Sequence, residues 1–130
     1  MLEIGFGASE KASAGGLDTT NDHTAAYITY VYGPVTVGYQ QNNVDTIGAT
    51  ADDEVTRMGI LYAVNDEMSI SYQTHTNDDT TATDEDATGW SASYTVGSMT
   101  FKAHRNQATN VGNIVANESE HTEVGVTFAF

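Results

Sequence analysis

Eight separate stretches of this chain place an apolar residue at every second position, and that alternation restricts the fold more than any other feature. Leu2, Ile4, Phe6 and Ala8 alternate with Glu3, Gly5 and Gly7. Ala26, Ile28, Tyr30 and Tyr32 follow, then Val35, Val37 and Tyr39, then Met58, Ile60, Tyr62 and Val64. Met68, Ile70 and Tyr72 form the fifth set, and Trp90, Ala92, Tyr94 and Val96 the sixth. Met99, Phe101 and Ala103, then Val124, Val126, Phe128 and Phe130, complete the series. Period two with one apolar face is the pattern of a half-buried β-strand, and no segment has a useful helical period. In the second stretch Tyr27, Thr29 and Val31 are also fairly apolar, so its orientation stays open.

The connections alternate strictly. Gly33-Pro34, Asn65-Asp66-Glu67 and Gly97-Ser98 are short turns, whereas Glu10–His23, Gln41–Asp53, His75–Thr88 and Asn106–Ser119 read as long polar loops. Alternating strands joined by short turns on one side and long loops on the other are the signature of a transmembrane β-barrel. The fold class expected is all-β, an antiparallel up-and-down transmembrane barrel of eight strands. Residues 1–130 form one barrel domain or barrel segment, and both termini fall on the short-turn side. Tyr32, Tyr39, Tyr62, Tyr72, Trp90 and Tyr94 lie on the outward faces, several near strand ends, where aromatic girdles form.

Composition narrows the partners. Eighteen acidic residues against four basic give a net charge of −14, which argues strongly against nucleic acid or an anionic lipid surface as a partner. No apolar run approaches the ~18 residues of a membrane-spanning helix. There is no cysteine, hence no disulfide and no thiolate metal site. Met1–Lys11 has neither the basic region nor the continuous apolar run of an export signal, so a mature form or a fragment is expected.

The last eight residues, EVGVTFAF, resemble the closing strand of bacterial outer-membrane barrels. Glu123, Gly125, Phe128 and Phe130 fill its specified places, and the resemblance implies recognition by the barrel-assembly machinery. Stretches such as YGPVTVGYQQ, MGILYAVNDEMSISYQTH and GWSASYTVGSMTFKAH extend the likeness over nearly the whole chain. They resemble the carboxyl-terminal half of a Gram-negative general diffusion porin of the α-proteobacterial type. That resemblance implies half of a 16-stranded barrel, an outer-membrane location among lipid, a homotrimer when full length, and passive diffusion of small hydrophilic solutes. The inward residues are mostly small (Gly5, Gly38, Gly59, Ser69, Ser71, Ser93, Gly125) and cannot fill the lumen of a closed eight-stranded barrel, which suits a wide channel. An amino-terminal half and its constriction loop are what the chain lacks against that family.

Within such a channel Arg57, Lys102 and His104 are expected to line the pore, where cationic side chains tune selectivity; the competing reading pairs each with a nearby carboxylate. Arg105 has outward parity, and is expected above the apolar band, after a bulge, or at a subunit contact. Asp78, Asp79, Asp84, Glu85 and Asp86 offer oxygen ligands for Ca²⁺, although without the spacing of a calcium loop, and a solvated acidic surface is the blander reading. The four histidines show no metal-ligand spacing, and no cofactor is implied. With no Gly-x-Ser-x-Gly and no histidine beside an obvious serine partner, the chain is expected not to be an enzyme. Two other readings stand beside the porin. One is a soluble ligand-binding barrel, disfavoured by the inward glycines and serines. The other is a small closed eight-stranded outer-membrane barrel acting through its acidic loops in adhesion or defence.

Overall fold

The computed structural model describes residues 1–12, 20–46, 52–79 and 82–129. Eight strands run in sequence order: β1 (Leu2–Ala12), β2 (Thr20–Tyr32), β3 (Val35–Thr46), β4 (Asp53–Ala63), β5 (Met68–Asp79), β6 (Glu85–Val96), β7 (Met99–Thr109) and β8 (Ser119–Phe128). Each pairs antiparallel with the next in one up-and-down sheet, and β1 and β8 are its two edges. The described residues contain no helix.

The short turns obey their sequences. Gly33 and Gly97 hold φ of 56° and 57° at the first central position of two-residue hairpins, the position where a type II′ turn demands glycine. Pro34 follows with its φ already fixed. In the third turn the Asn65 side-chain oxygen accepts from the backbone N–H of Glu67 (2.9 Å) and Met68 (2.8 Å), closing an Asx turn.

At the opposite end the strands are longer than the alternation of apolar residues indicates. Stretches expected as loops are ladder: Asn42 pairs with Val55, Asn43 with Glu54, Thr76 with Asp86, and Asn77 with Glu85. Hydrophobic alternation marks only the part of a strand with an apolar face. Beyond it the same backbone pairing continues with Asn, Asp and Thr on both faces, and the sequence period disappears while the strand does not.

Register keeps the alternating apolar sets of the eight strands on one face, while Tyr27, Val31 and Leu61 stand on the other. Leu2 pairs with Tyr30, which pairs with Val37, then Ile60, Tyr72 and Trp90 in turn. The β2 orientation left open by sequence is thereby fixed, with Tyr30 and Ile28 on the apolar face and Tyr27 on the polar one. Among the described residues no hydrophobic one is buried, and Ile4, Ile60, Tyr72, Trp90 and Val124 are 46–75% exposed. A soluble sheet covers its apolar face with a second layer; among the described residues this one has none.

The apolar face ends sharply towards the long connections. Its last apolar residues are Ala8 on β1, Tyr39 on β3, Tyr72 on β5 and Ala103 on β7, followed two positions on by Glu10, Gln41, Thr74 and Arg105. Traced through the register, this boundary steps down the ladder by eight residues over the six strand intervals from β1 to β7. At ~3.3 Å per residue and ~4.8 Å per strand the boundary crosses the strands at a slope of about 40°. A flat apolar slab therefore fits this sheet only with its strands tilted by roughly that amount, and strands of membrane barrels tilt by ~35–45°.

On the polar face Tyr27 lies over Gly5, and its hydroxyl donates to Glu3 at 2.8 Å. A Cβ at residue 5 would collide with the Tyr27 ring. Gly5→Val should therefore displace Tyr27 and destabilise the sheet by about 1–3 kcal/mol, the usual cost of overpacking, seen as a lowered urea midpoint. Gly125 has no heavy atom within 4 Å of the corresponding position, so Gly125→Val is the matched control and should not lower the midpoint.

Candidate functional site

The polar face carries nearly all the chemistry. Its centre is a shallow concavity of about 580 Å³, with Tyr27, Gln40, Arg57, Gln73, His75 and Asn106 on its walls. Gly89, the one buried residue of those described, forms part of the floor beneath the Asn106 amide. Arg57 Nε donates to His75 Nδ1 at 3.2 Å, an arrangement that needs an unprotonated nitrogen on the imidazole. Serine hydroxyls bridge β5 and β6 beside it, Ser69 to Ser93 at 3.0 Å and Ser71 to Ser91 at 2.8 Å.

Arg57, Lys102 and His104 all stand on this polar face, as their parity requires, but they are not gathered into one site. Arg57 is level with His75 on β5, whereas Lys102 is level with Ser93 and Gly125, three strands across and six residues down the ladder. Lys102 forms no ion pair with the described residues. His104 is opposite Glu123, with Nε2 3.7 Å from the carboxylate, and His121 approaches the same oxygen at 3.5 Å. Sequence spacing hid this grouping because it is cross-strand: His121 and Glu123 are two apart on β8, and His104 meets them only through the β7–β8 register.

Arg105 is the first residue above the apolar band on β7, and no bulge interrupts its ladder. It forms an ion pair with Glu120 at 2.9 Å, joined by Gln107 at 3.1 Å. The Arg105 hydrogen bond first, then that of Gln107, holds the Glu120 carboxyl below its ordinary range. Arg105 thus stands just above the band, in a ladder with no bulge.

The acidic residues gather at the long-connection end. Of the described acidic residues, Glu3, Asp66 and Glu67 belong to the short-turn end and Glu123 lies mid-strand. Asp22 faces Asp45, Asp53 faces Asp79, and Glu54 faces Asp78 across the ladder. Among the calcium candidates, Glu85 accepts from the Gly112 N–H at 2.7 Å, Asp86 accepts from Thr76 at 2.8 Å, and the Asp84 carbonyl accepts from Asn110 at 3.0 Å. In the closing-strand pattern Glu123 and Gly125 face the polar side and Phe128 the apolar side, while Phe130 lies outside the described residues.

No protein-family model and no curated protein matches the sequence. Solved structures do match the fold. A loop L8 deletion mutant of OmpT, an outer-membrane protein of Vibrio cholerae, superposes with a TM-score of 0.58 at 16% identity, over 98% of this chain and 48% of that one. OmpT expressed in the outer membrane of Vibrio cholerae gives 0.58 at 18% identity, over 98% and 51%. The in-vitro folded trimer form of OmpT gives 0.53 at 17%, over 96% and 50%. The chain thus spans about half the length of the structures it matches.

These findings correct two expectations. The matched proteins are described as the outer-membrane protein OmpT and not as general diffusion porins, so the reading as a general porin of α-proteobacterial type, acting as a passive channel, does not stand. The physical reason is that alternation, girdles and a closing aromatic specify strands in lipid; they are shared by outer-membrane barrels whatever a barrel does. The exclusion of enzymatic activity is withdrawn on the same likeness, because a barrel fold shared with OmpT gives no ground for ruling out catalysis. The chain folds as eight antiparallel up-and-down strands with the architecture of an outer-membrane β-barrel.

Proposed function

We propose that this chain is a lipid-embedded β-barrel protein of the bacterial outer membrane that acts through its acidic rim, in adhesion or defence against cationic partners. The observation that carries the reading is the tilted apolar band on a sheet whose described residues include no buried hydrophobic one. Lipid covers that band, Tyr39, Tyr72 and Trp90 mark its upper edge, and Tyr32, Tyr62 and Tyr94 lie towards its lower one. The band ends where the carboxylates begin, so the whole acidic rim stands clear of the bilayer on the long-connection side. The terminal pattern of Glu123, Gly125 and Phe128 supports delivery by the barrel-assembly machinery. The trimer form described for OmpT supports a homotrimer as the membrane assembly.

The rim predicts salt-sensitive attachment to positive surfaces. Bacteria displaying the chain should bind a polylysine-coated surface better than cells displaying Asp53→Asn/Glu54→Gln/Asp78→Asn/Asp84→Asn. At ~0.3–0.5 kcal/mol per neutralised surface charge, the difference is about tenfold. It should fade as salt shortens the Debye length from ~10 Å at 0.1 M to ~3 Å at 1 M. Equal attachment by the two strains at low salt would remove the rim from the function.

A further inference from the structure

We infer that His104, His121 and Glu123 form a binding site for a divalent transition metal of the zinc class, clamping the closing strand β8 to β7. Their ligand atoms all lie within 4.8 Å of one another, and both imidazole Nε2 atoms point at the same Glu123 oxygen, at 3.5 and 3.7 Å. Two ligands on one tetrahedral zinc, each ~2.0–2.1 Å from it, stand ~3.3–3.4 Å apart. A contraction of a few tenths of an ångström therefore brings each His–Glu pair to that separation. As hydrogen bonds the same distances are long, outside the ~2.7–3.2 Å of a well-formed N–H···O bond. The two rings make a tilted contact, with centroids 5.7 Å apart and planes at 38°, which keeps both Nε2 atoms on the Glu123 side.

Strand geometry builds this triad with no loop involved. His121 and Glu123 are two apart on β8 and share a face, and the register sets His104 directly opposite Glu123. All three side chains project to the polar side, with 35% of the His104 side chain and 62% of the other two exposed. A metal held there keeps one or more positions for water. Two imidazoles and one carboxylate suit Zn²⁺, Cu²⁺ or Ni²⁺; Ca²⁺ and Mg²⁺ prefer sites made wholly of oxygen. Lys102 is two residues from His104 on the same face and adds a positive charge nearby, against which the net charge of −14 enriches cations at the surface. The site lies on the strands themselves, below the acidic rim, and does not depend on what the rim binds.

The full chain folded in liposomes, stripped with chelator and titrated with Zn²⁺ by calorimetry, should take up one ion per chain with high affinity and show a raised unfolding midpoint. His104→Ala, His121→Ala or Glu123→Gln should each weaken uptake by at least tenfold, whereas His75→Ala should not. Cu²⁺ added in place of Zn²⁺ should give an electron paramagnetic resonance spectrum with hyperfine splitting from two imidazole nitrogens, a readout that misfolding of a variant cannot imitate. Unchanged zinc uptake in the triple variant would overturn the inference. So would a copper spectrum from oxygen ligands alone, or Ca²⁺ competing as well as Zn²⁺, since either assigns the metal to the rim carboxylates.

Discussion

Ile60→Arg should abolish stable insertion into a bilayer, while Ser71→Arg leaves it nearly intact. Both positions are mid-sheet and differ in face. Ile60 is 46% exposed between Val37 and Tyr72 in the apolar band, whereas Ser71 lies between Leu61 and Ser91 on the polar side. An arginine facing lipid near the bilayer midplane costs ~2–4 kcal/mol, whereas a substitution on the side away from lipid escapes that cost. The folding equilibrium of Ile60→Arg should therefore fall by roughly 30- to 1,000-fold at ~1.4 kcal/mol per tenfold. Trp90, the single tryptophan, stands at the edge of the band, so its emission reports insertion during urea titration in liposomes. Equal losses from both substitutions would mean that the apolar face is not the lipid face, and the membrane reading would fall with it.

The apolar band was legible in the sequence because lipid enforces period two on one face of every strand. Strand order followed from the alternation of short turns and long connections, and Gly33-Pro34, Asn65-Asp66 and Gly97-Ser98 turn where their chemistry says. Strand length was not legible: Asn42, Asn43, Thr76 and Asn77 carry no periodic signal, since both their faces meet water, yet the ladder runs through them. Tyr27 was ambiguous for a related reason. An aromatic residue on the polar face looks like one on the apolar face until Gly5 is known to lie beneath it. Parity placed Arg57, Lys102 and His104 on the polar side but could not group them, because grouping depends on register. The same register assembled His104, His121 and Glu123, which lie 17 and 2 positions apart in sequence. Function was the least legible level. The pattern that betrays an outer-membrane barrel records its solvent, and lipid asks the same of every barrel.

In lipid, β1 and β8 should be found cross-linked through a strand-to-strand pairing that the eight-stranded sheet by itself leaves unmade. They are the two edges of the ladder, eleven and ten residues long. A free edge exposes about half of a strand's N–H and C=O groups, and each such group costs several kcal/mol where no water reaches it. That sum exceeds the ~5–15 kcal/mol that stabilises a typical domain, so an open sheet cannot persist in a bilayer. The chain contains no native cysteine, so introduced pairs report alone. Gly7 and Gly125 both have open space where a Cβ would stand, which makes Gly7→Cys/Gly125→Cys a pair that the sheet accepts. Keeping Gly7→Cys and moving the second cysteine to Thr127, Glu123, His121 or Ser119 scans the register on one face. Oxidation should give a high yield at one position and little two residues to either side, because a disulfide needs its Cβ atoms ~3.5–4.5 Å apart. Mobility under denaturing conditions then distinguishes closure within one chain from closure between two copies. If no position cross-links while the chain remains inserted, the edges are covered by strands other than its own, and closure of this sheet on itself or on a second copy is excluded.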